Sequence, residues 1–411
     1  MALFRVFKNP FITYIVAFAS VLALYHAGWS EIYPPLSWSM LLFFAVTFVV
    51  AGLLARAVVP LVAGGDYQPG LLPGWAVIFV VVTFAGEVYL MGGVPLVLVM
   101  HGARFFKLEA QVTHLHVFTL WSVFSTIRFA DFLYSARPIR YRYLAEAVLV
   151  VVIYTVMIYR GPAIMTLASW AFLTIIRFNG LRLKYFAMIL ATTAVVVYVN
   201  GALGDIRSPG QEAAGAPSVA LQEMAADMPA PLASAPRRAF WGYLYATVPL
   251  ANFQNAVDKM DRREGTLSEF VVTEMIPDTF SRRIMPLINP TIESNRGVFI
   301  TRDQLYPWSL PLVSEGLNTA TMFGRAYGYL GWLGAATMFA VLATFSIAYL
   351  IVISYSPYRV PALALLNTLV LFCLINNMLA SAAMIPQLVW PLVLSLWPMR
   401  IEGRRKMRQL L

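Results

Sequence analysis

The stretch VMIYRGPAIMTLASW (156–170) sets one arginine and a Gly-Pro pair between two long apolar runs. If both runs cross a bilayer, the turn between them sits at a membrane face, and the direction of every other apolar run follows from it. Proline suits the first turn of a helix, where no N–H partner is needed, so the second run reads as a helix starting at Pro162. A helix start exposes unpaired N–H groups and a partial positive charge. Arg160 beside it adds a planar cationic fork, and the combination suits a phosphate. The competing reading is an interfacial arginine whose apolar stem anchors the span.

The composition supports the membrane reading. Of 411 residues, 60% are hydrophobic and 12% charged, with a mean hydropathy of +0.70. So little charge does not cover the surface of a soluble protein, and the fold class is an all-α polytopic membrane protein. About ten spans are expected, at 10–28, 37–59, 72–91, 114–135, 144–159, 162–178, 185–203, 325–353, 361–380 and 384–399. Basic residues cluster between them: Arg137, Arg140 and Arg142; Arg177, Arg182 and Lys184; Arg400, Arg404, Arg405, Lys406 and Arg408. By the positive-inside rule these loops are cytoplasmic, as are both termini. That placement, rather than nucleic-acid binding, accounts for the net charge of +10. Cys373 is the only cysteine, so neither a disulfide framework nor a cysteine metal site is expected.

The chain then divides into 1–203 with seven spans, a large outer loop at 204–324, and 325–411 with three spans and a basic cytoplasmic tail. The loop opens rich in Ala, Pro, Gly and Ser (204–241). From Phe240 it carries enough aromatic and apolar residues to form short helices against the membrane surface.

Further candidate residues gather on the outer face. In EVYLMGGVPLVLVMHGARFFKLEA (87–110), Gly92, Gly93 and Pro95 end the third span, and Arg104 and Lys107 follow in a re-entrant or interfacial segment. Glu87 lies about one turn inside the bilayer, where a carboxylate is either a functional group or half of a structural ion pair. His116 opens the fourth span and is a second candidate base, against a reading as an interfacial hydrogen-bonding histidine. Arg282 and Arg283 offer further cations, against a solvated face. Asn318, Thr319 and Thr321 are placed to cap the eighth span. Tyr243 and Tyr245, with Trp241, suit stacking on sugar rings, or an interfacial aromatic belt. Together these features fit a ligand with a phosphate head, a lipid tail and a polar body. No internal repeat is visible, and apart from Glu87 the spans hold few mid-membrane ionisable groups, which argues against a transporter.

Five fragments in order, EVYLMGGVPLVL, ARFFKLEAQVTHLHVF, YRGPAIMTLASWAFLTI, YLYATVPLANFQNAV and GLNTATMFGRAYGYLGWLG, resemble the Wzy-type O-antigen polymerases. The resemblance runs from residue 87 to 334. It implies a GT-C-like fold shared with O-antigen ligases. It also implies an inner-membrane, metal-independent, lipid-donor glycosyltransferase without cofactor. Such an enzyme moves a glycan from undecaprenyl pyrophosphate to a new lipid-linked repeat unit at the periplasmic face, alongside a chain-length-regulating co-polymerase. The family's essential outer arginine corresponds to Arg160, and its basic residue before the fourth span to Arg104. Arg325 and Tyr329 stand where many members carry acidic residues. The same features leave an O-antigen ligase, or a flippase for lipid-linked oligosaccharide, as alternatives.

Overall fold

The computed structural model describes residues 8–30, 32–62, 67–101, 117–136, 138–178, 237–260, 266–289, 309–314 and 317–396. Among them every regular element is helical: α1 Pro10–Tyr25, α2 Trp38–Ala57, α3 Ala76–Leu90, α4 Pro95–Met100, α5 Val117–Tyr134, α6 Arg140–Val156, α7 Arg160–Phe178, α8 Arg237–Lys259, α9 Leu267–Phe270, α10 Asp278–Ile288, α11 Met322–Leu330, α12 Trp332–Ile353 and α13 Arg359–Phe372. A last helix, α14, spans Ile385–Leu396. Four stretches are long and apolar enough to cross a bilayer: Trp38–Ala57, Ala76–Leu98, Gly161–Phe178 and Trp332–Ile353. Pro10–Tyr25, Arg359–Phe372 and Ile385–Leu396 are shorter apolar helices. The protein is a helical membrane protein. The expected span at 185–203 lies outside the described residues.

Local chemistry sets the helix ends. Asn9 accepts the Phe11 N–H at 3.0 Å and Pro10 occupies the first turn of α1. α3 stops after Leu90 because Gly92 and Gly93 adopt φ of 73° and 151°. Their N–H groups bond to the carbonyls of Tyr89 and Val88, the double closure that ends a helix on glycine. The helix break expected at this sequence is therefore present.

Two expected spans are interrupted. The run 325–353 is not one helix: Gly331, at φ 62° and ψ −144°, separates α11 from α12. That backbone region is open essentially to glycine alone. The run 361–380 ends as helix at Phe372 and continues as turns. Beyond the break, Gly334 packs so closely that a methyl group would overlap the Ala326 carbonyl. Gly334→Ala is expected to destabilise the fold by about 1–3 kcal/mol, read as a lowered unfolding temperature in detergent.

Hydrogen bonds fix which helix ends lie together. Asn9 at the start of α1 donates to Ala55 O at the end of α2, and Arg359 at the start of α13 donates to Leu61 O just beyond it. Arg128, late in α5, donates to Leu72 O and Pro73 O, just before α3. These form one end of the bundle, the Arg128 end. At the other end lie the close of α3, the start of α5, the close of α6, the start of α7 and the close of α13. We refer to it as the Arg160 end. The core between them is aromatic: Tyr14, Phe18, Phe44, Phe253 and Phe323 pack ring on ring across α1, α2, α8 and α11. Phe253 belongs to the large segment 204–324, yet it is fully buried in this core. Residues 237–259 thus fold as part of the bundle.

Candidate functional site

The turn between α6 and α7 is short and strained. α6 ends at Val156, and Ile158 takes φ 58°. Its N–H bonds to Thr155 O at 3.1 Å and that of Tyr159 bonds to Tyr154 O at 2.8 Å. This is the closure seen at Gly92 and Gly93, with a β-branched residue where glycine is preferred. The left-handed conformation costs a non-glycine residue about 1–2 kcal/mol. The backbone then enters α7 at Arg160, two residues before the expected start at Pro162. The Arg160 side chain lies outside the described atoms. Pro162 has no N–H, and the Ala163 N–H is taken by Tyr159 O at 3.2 Å. The N–H groups of Arg160 and Gly161 are thus the ones this helix start offers a ligand. A Cβ built on Gly161 meets nothing within 4 Å, so the space beside it is open.

A belt of hydroxyls lies one to two turns below. Tyr154 Oη and Ser122 Oγ are 2.6 Å apart, and Thr166 Oγ1 donates to Ser122 Oγ at 3.1 Å. Trp121 packs on Tyr154 and donates from Nε1 to Thr83 Oγ1 at 2.9 Å. These contacts join α3, α5, α6 and α7 at a common depth. They put Glu87, one turn beyond Thr83, at the same end of the bundle as Arg160. Tyr154→Phe removes the Tyr154 hydroxyl from the belt. It is expected to cost about 0.6–1.7 kcal/mol, measured by thermal unfolding in detergent.

Glu87 is 2% exposed, and among the described residues neither carboxylate oxygen has a hydrogen-bond partner. An arginine partner for it is likewise not found among those residues. Burying a carboxylate without partners is costly, and a donor supplied by a ligand would offset that cost.

The part of the large segment around α9 and α10 is pinned to the same end. Thr266 and Glu269 form a reciprocal cap on α9, and Asn289 Nδ2 donates to Glu269 Oε1 at 2.7 Å. One π-helical turn, Val271–Met275, follows, a geometry common at functional sites. It buries Glu274, whose Oε2 and backbone oxygen accept from Asn377 Nδ2 at 2.9 and 2.7 Å. The Asp278 N–H bonds to Ala380 O at 2.8 Å. Arg282 is half-buried on α10 and Arg283 is exposed. Thr321, rather than Asn318, caps α11, and Asn318 is exposed.

Tyr243 does not present a free face. It is 7% exposed, with Trp29 at 5.1 Å and Tyr33 at 6.1 Å between ring centroids. Burial pushes its hydroxyl up from the usual tyrosine range. A sugar-stacking role for Tyr243 is therefore blocked by protein rings, whereas Tyr245 is half exposed. Arg104, Lys107 and His116 lie outside the described residues.

Sequence reasoning missed one buried ionic cluster. Arg128 is 1% exposed; it pairs with Asp131 at 3.1 Å and with Glu146 at 2.7 Å. Arg142 holds the second oxygen of Glu146 at 2.8 Å. Tyr67 Oη and Gly70 N donate to Asp131 Oδ1 at 2.9 and 2.8 Å. The spans are thus less poor in ionisable groups than expected, but these are balanced, two cations against two carboxylates. The signal was present as Arg and Asp three residues apart inside an apolar run, facing Glu146 of the next. No known protein family, no curated protein and no solved structure matches the chain.

Proposed function

We propose that this protein is a membrane-embedded glycan polymerase. It joins lipid-linked repeat units by moving a growing glycan from a polyprenyl pyrophosphate to a sugar hydroxyl of an incoming unit. The observation that carries this reading is the Arg160 turn, a strained, tightly closed loop that opens into a membrane-length helix at the end where Glu87 is buried with no hydrogen-bond partner among the described residues. The resemblance of five ordered fragments to O-antigen polymerases supports it.

The residues divide the chemistry as follows. The C–O bond between the anomeric carbon and the pyrophosphate breaks, and the departing diphosphate gains charge. The Arg160 guanidinium and the N–H groups of Arg160 and Gly161 stabilise that charge as it develops. Glu87 takes the proton of the attacking hydroxyl, which forms the new glycosidic bond.

The test is Arg160→Ala as the only copy in a cell, with surface polysaccharide resolved on a gel. The polymerase reading requires single-repeat product without a ladder, and an intact ladder overturns it. Lipid-linked polymer left unattached would mark a ligase, and loss of even single-repeat product a flippase.

A further inference from the structure

At the Arg128 end, among the described residues, Arg140 and Arg177 flank α5 outside the buried ionic cluster. Arg177, in the last turn of α7, is exposed; it lies 4.5 Å over the Tyr134 ring and donates to Leu133 O at 3.2 Å. Arg140, first residue of α6, sits 5.1 Å over the Phe132 ring, and its buried Nε has no hydrogen-bond partner among the described residues. Both bracket the last turn of α5. The carboxylates nearest in sequence are already committed, Asp131 to Arg128, Tyr67 and Gly70, and Glu146 to Arg128 and Arg142. Among the described residues neither Arg140 nor Arg177 forms an ion pair.

Deeper in the same α5–α7 seam the surface becomes aromatic. Phe129 and Trp170 stack at 4.4 Å with planes 4° apart, and Phe132 packs on Phe129 at 5.6 Å. Trp170 and Arg177 are seven residues apart, so they share a helix face about 10 Å apart along the axis. A cationic mouth above a flat apolar wall, at a helix end of a membrane protein, matches the division of a phospholipid into anionic head and acyl chain.

We propose that the α5–α7 seam at the Arg128 end is a binding site for an anionic membrane phospholipid. Arg140 and Arg177, on two sides of the last turn of α5, attract its anionic head, and the Phe129–Trp170 pair supports an acyl chain. The site lies at the opposite end of the bundle from Arg160 and does not depend on the function proposed above.

Native mass spectrometry of the full-length protein tests this, using phosphatidylglycerol and phosphatidylethanolamine as probes. Wild-type protein is expected to retain phosphatidylglycerol in preference to phosphatidylethanolamine. The double variant R140Q/R177Q is expected to hold it about thirty-fold more weakly, roughly five-fold per cation. R56Q, which removes a cation from the last turn of α2 at the same end, is expected to leave retention unchanged. Equal retention by the double variant, or an equal loss in R56Q, overturns the site. Competition by millimolar inorganic phosphate at a level that strips the lipid overturns the lipid assignment. Should the double variant fail to fold, the wild-type preference decides: without selectivity for phosphatidylglycerol, the proposal falls.

Discussion

Arg128→Ala is expected to cost the fold about 3–5 kcal/mol, the loss that follows when one partner of a buried ion pair is removed and the other stays behind. Arg128 sits at 1% exposure between Asp131 and Glu146, with its guanidinium 5.4 Å from the Phe124 ring centroid and 5.2 Å from that of Tyr143. It also holds the carbonyls of Leu72 and Pro73, so the segment entering α3 is fastened through it to the α5–α6 hairpin. Its loss strands an Asp131 oxygen in a dry interior and frees that segment at once. The measurement is thermal unfolding in detergent, with proteolysis in the 67–75 segment as a local readout. Removing Arg128 and Asp131 together is expected to cost less than the two single losses summed, because the pair is coupled.

On the proposed function, Arg160→Ala is expected to slow glycan transfer by about 10²–10³-fold while leaving the melting temperature close to wild type. The leaving diphosphate gains charge only as its bond to the sugar breaks. An arginine that meets it therefore acts more on kcat than on KM. Arg160→Lys keeps the charge and loses the planar two-pronged donor, so an intermediate rate is expected. The assay follows chain growth from purified lipid-linked repeat units in proteoliposomes. Unchanged rates in both variants would remove the turn from the chemistry.

Much of the architecture was legible where a residue type has a single structural use. Gly92, Gly93 and Pro95 mark a helix end because they cannot continue one, and the chain stops there. Gly161-Pro162 marks a helix start within two residues of where it lies. Gly331 was not legible, because an isolated glycine within an apolar run is compatible with an unbroken span, and only its φ of 62° reveals the break. Ile158 was hidden for the opposite reason, since a β-branched residue gives no sign of a left-handed turn. At the site, Glu87 stood out as a lone charge in an apolar run, and it is enclosed by the protein. The burial of Tyr243 was not legible because exposure depends on Trp29 and Tyr33, more than two hundred residues earlier in the chain. Glu274 escaped notice because its partner Asn377 lies 103 residues away.

The burial of Phe253 among the rings of α2 and α11 limits how the proposed substrate could reach the Arg160 end. A helix that shares its interior with two others does not swing aside as a flap, since doing so would expose their rings as well. Residues 237–259 therefore serve as a fixed wall, and on the proposed function a long polyprenyl tail would need a sideways portal between helices rather than a lifting cover.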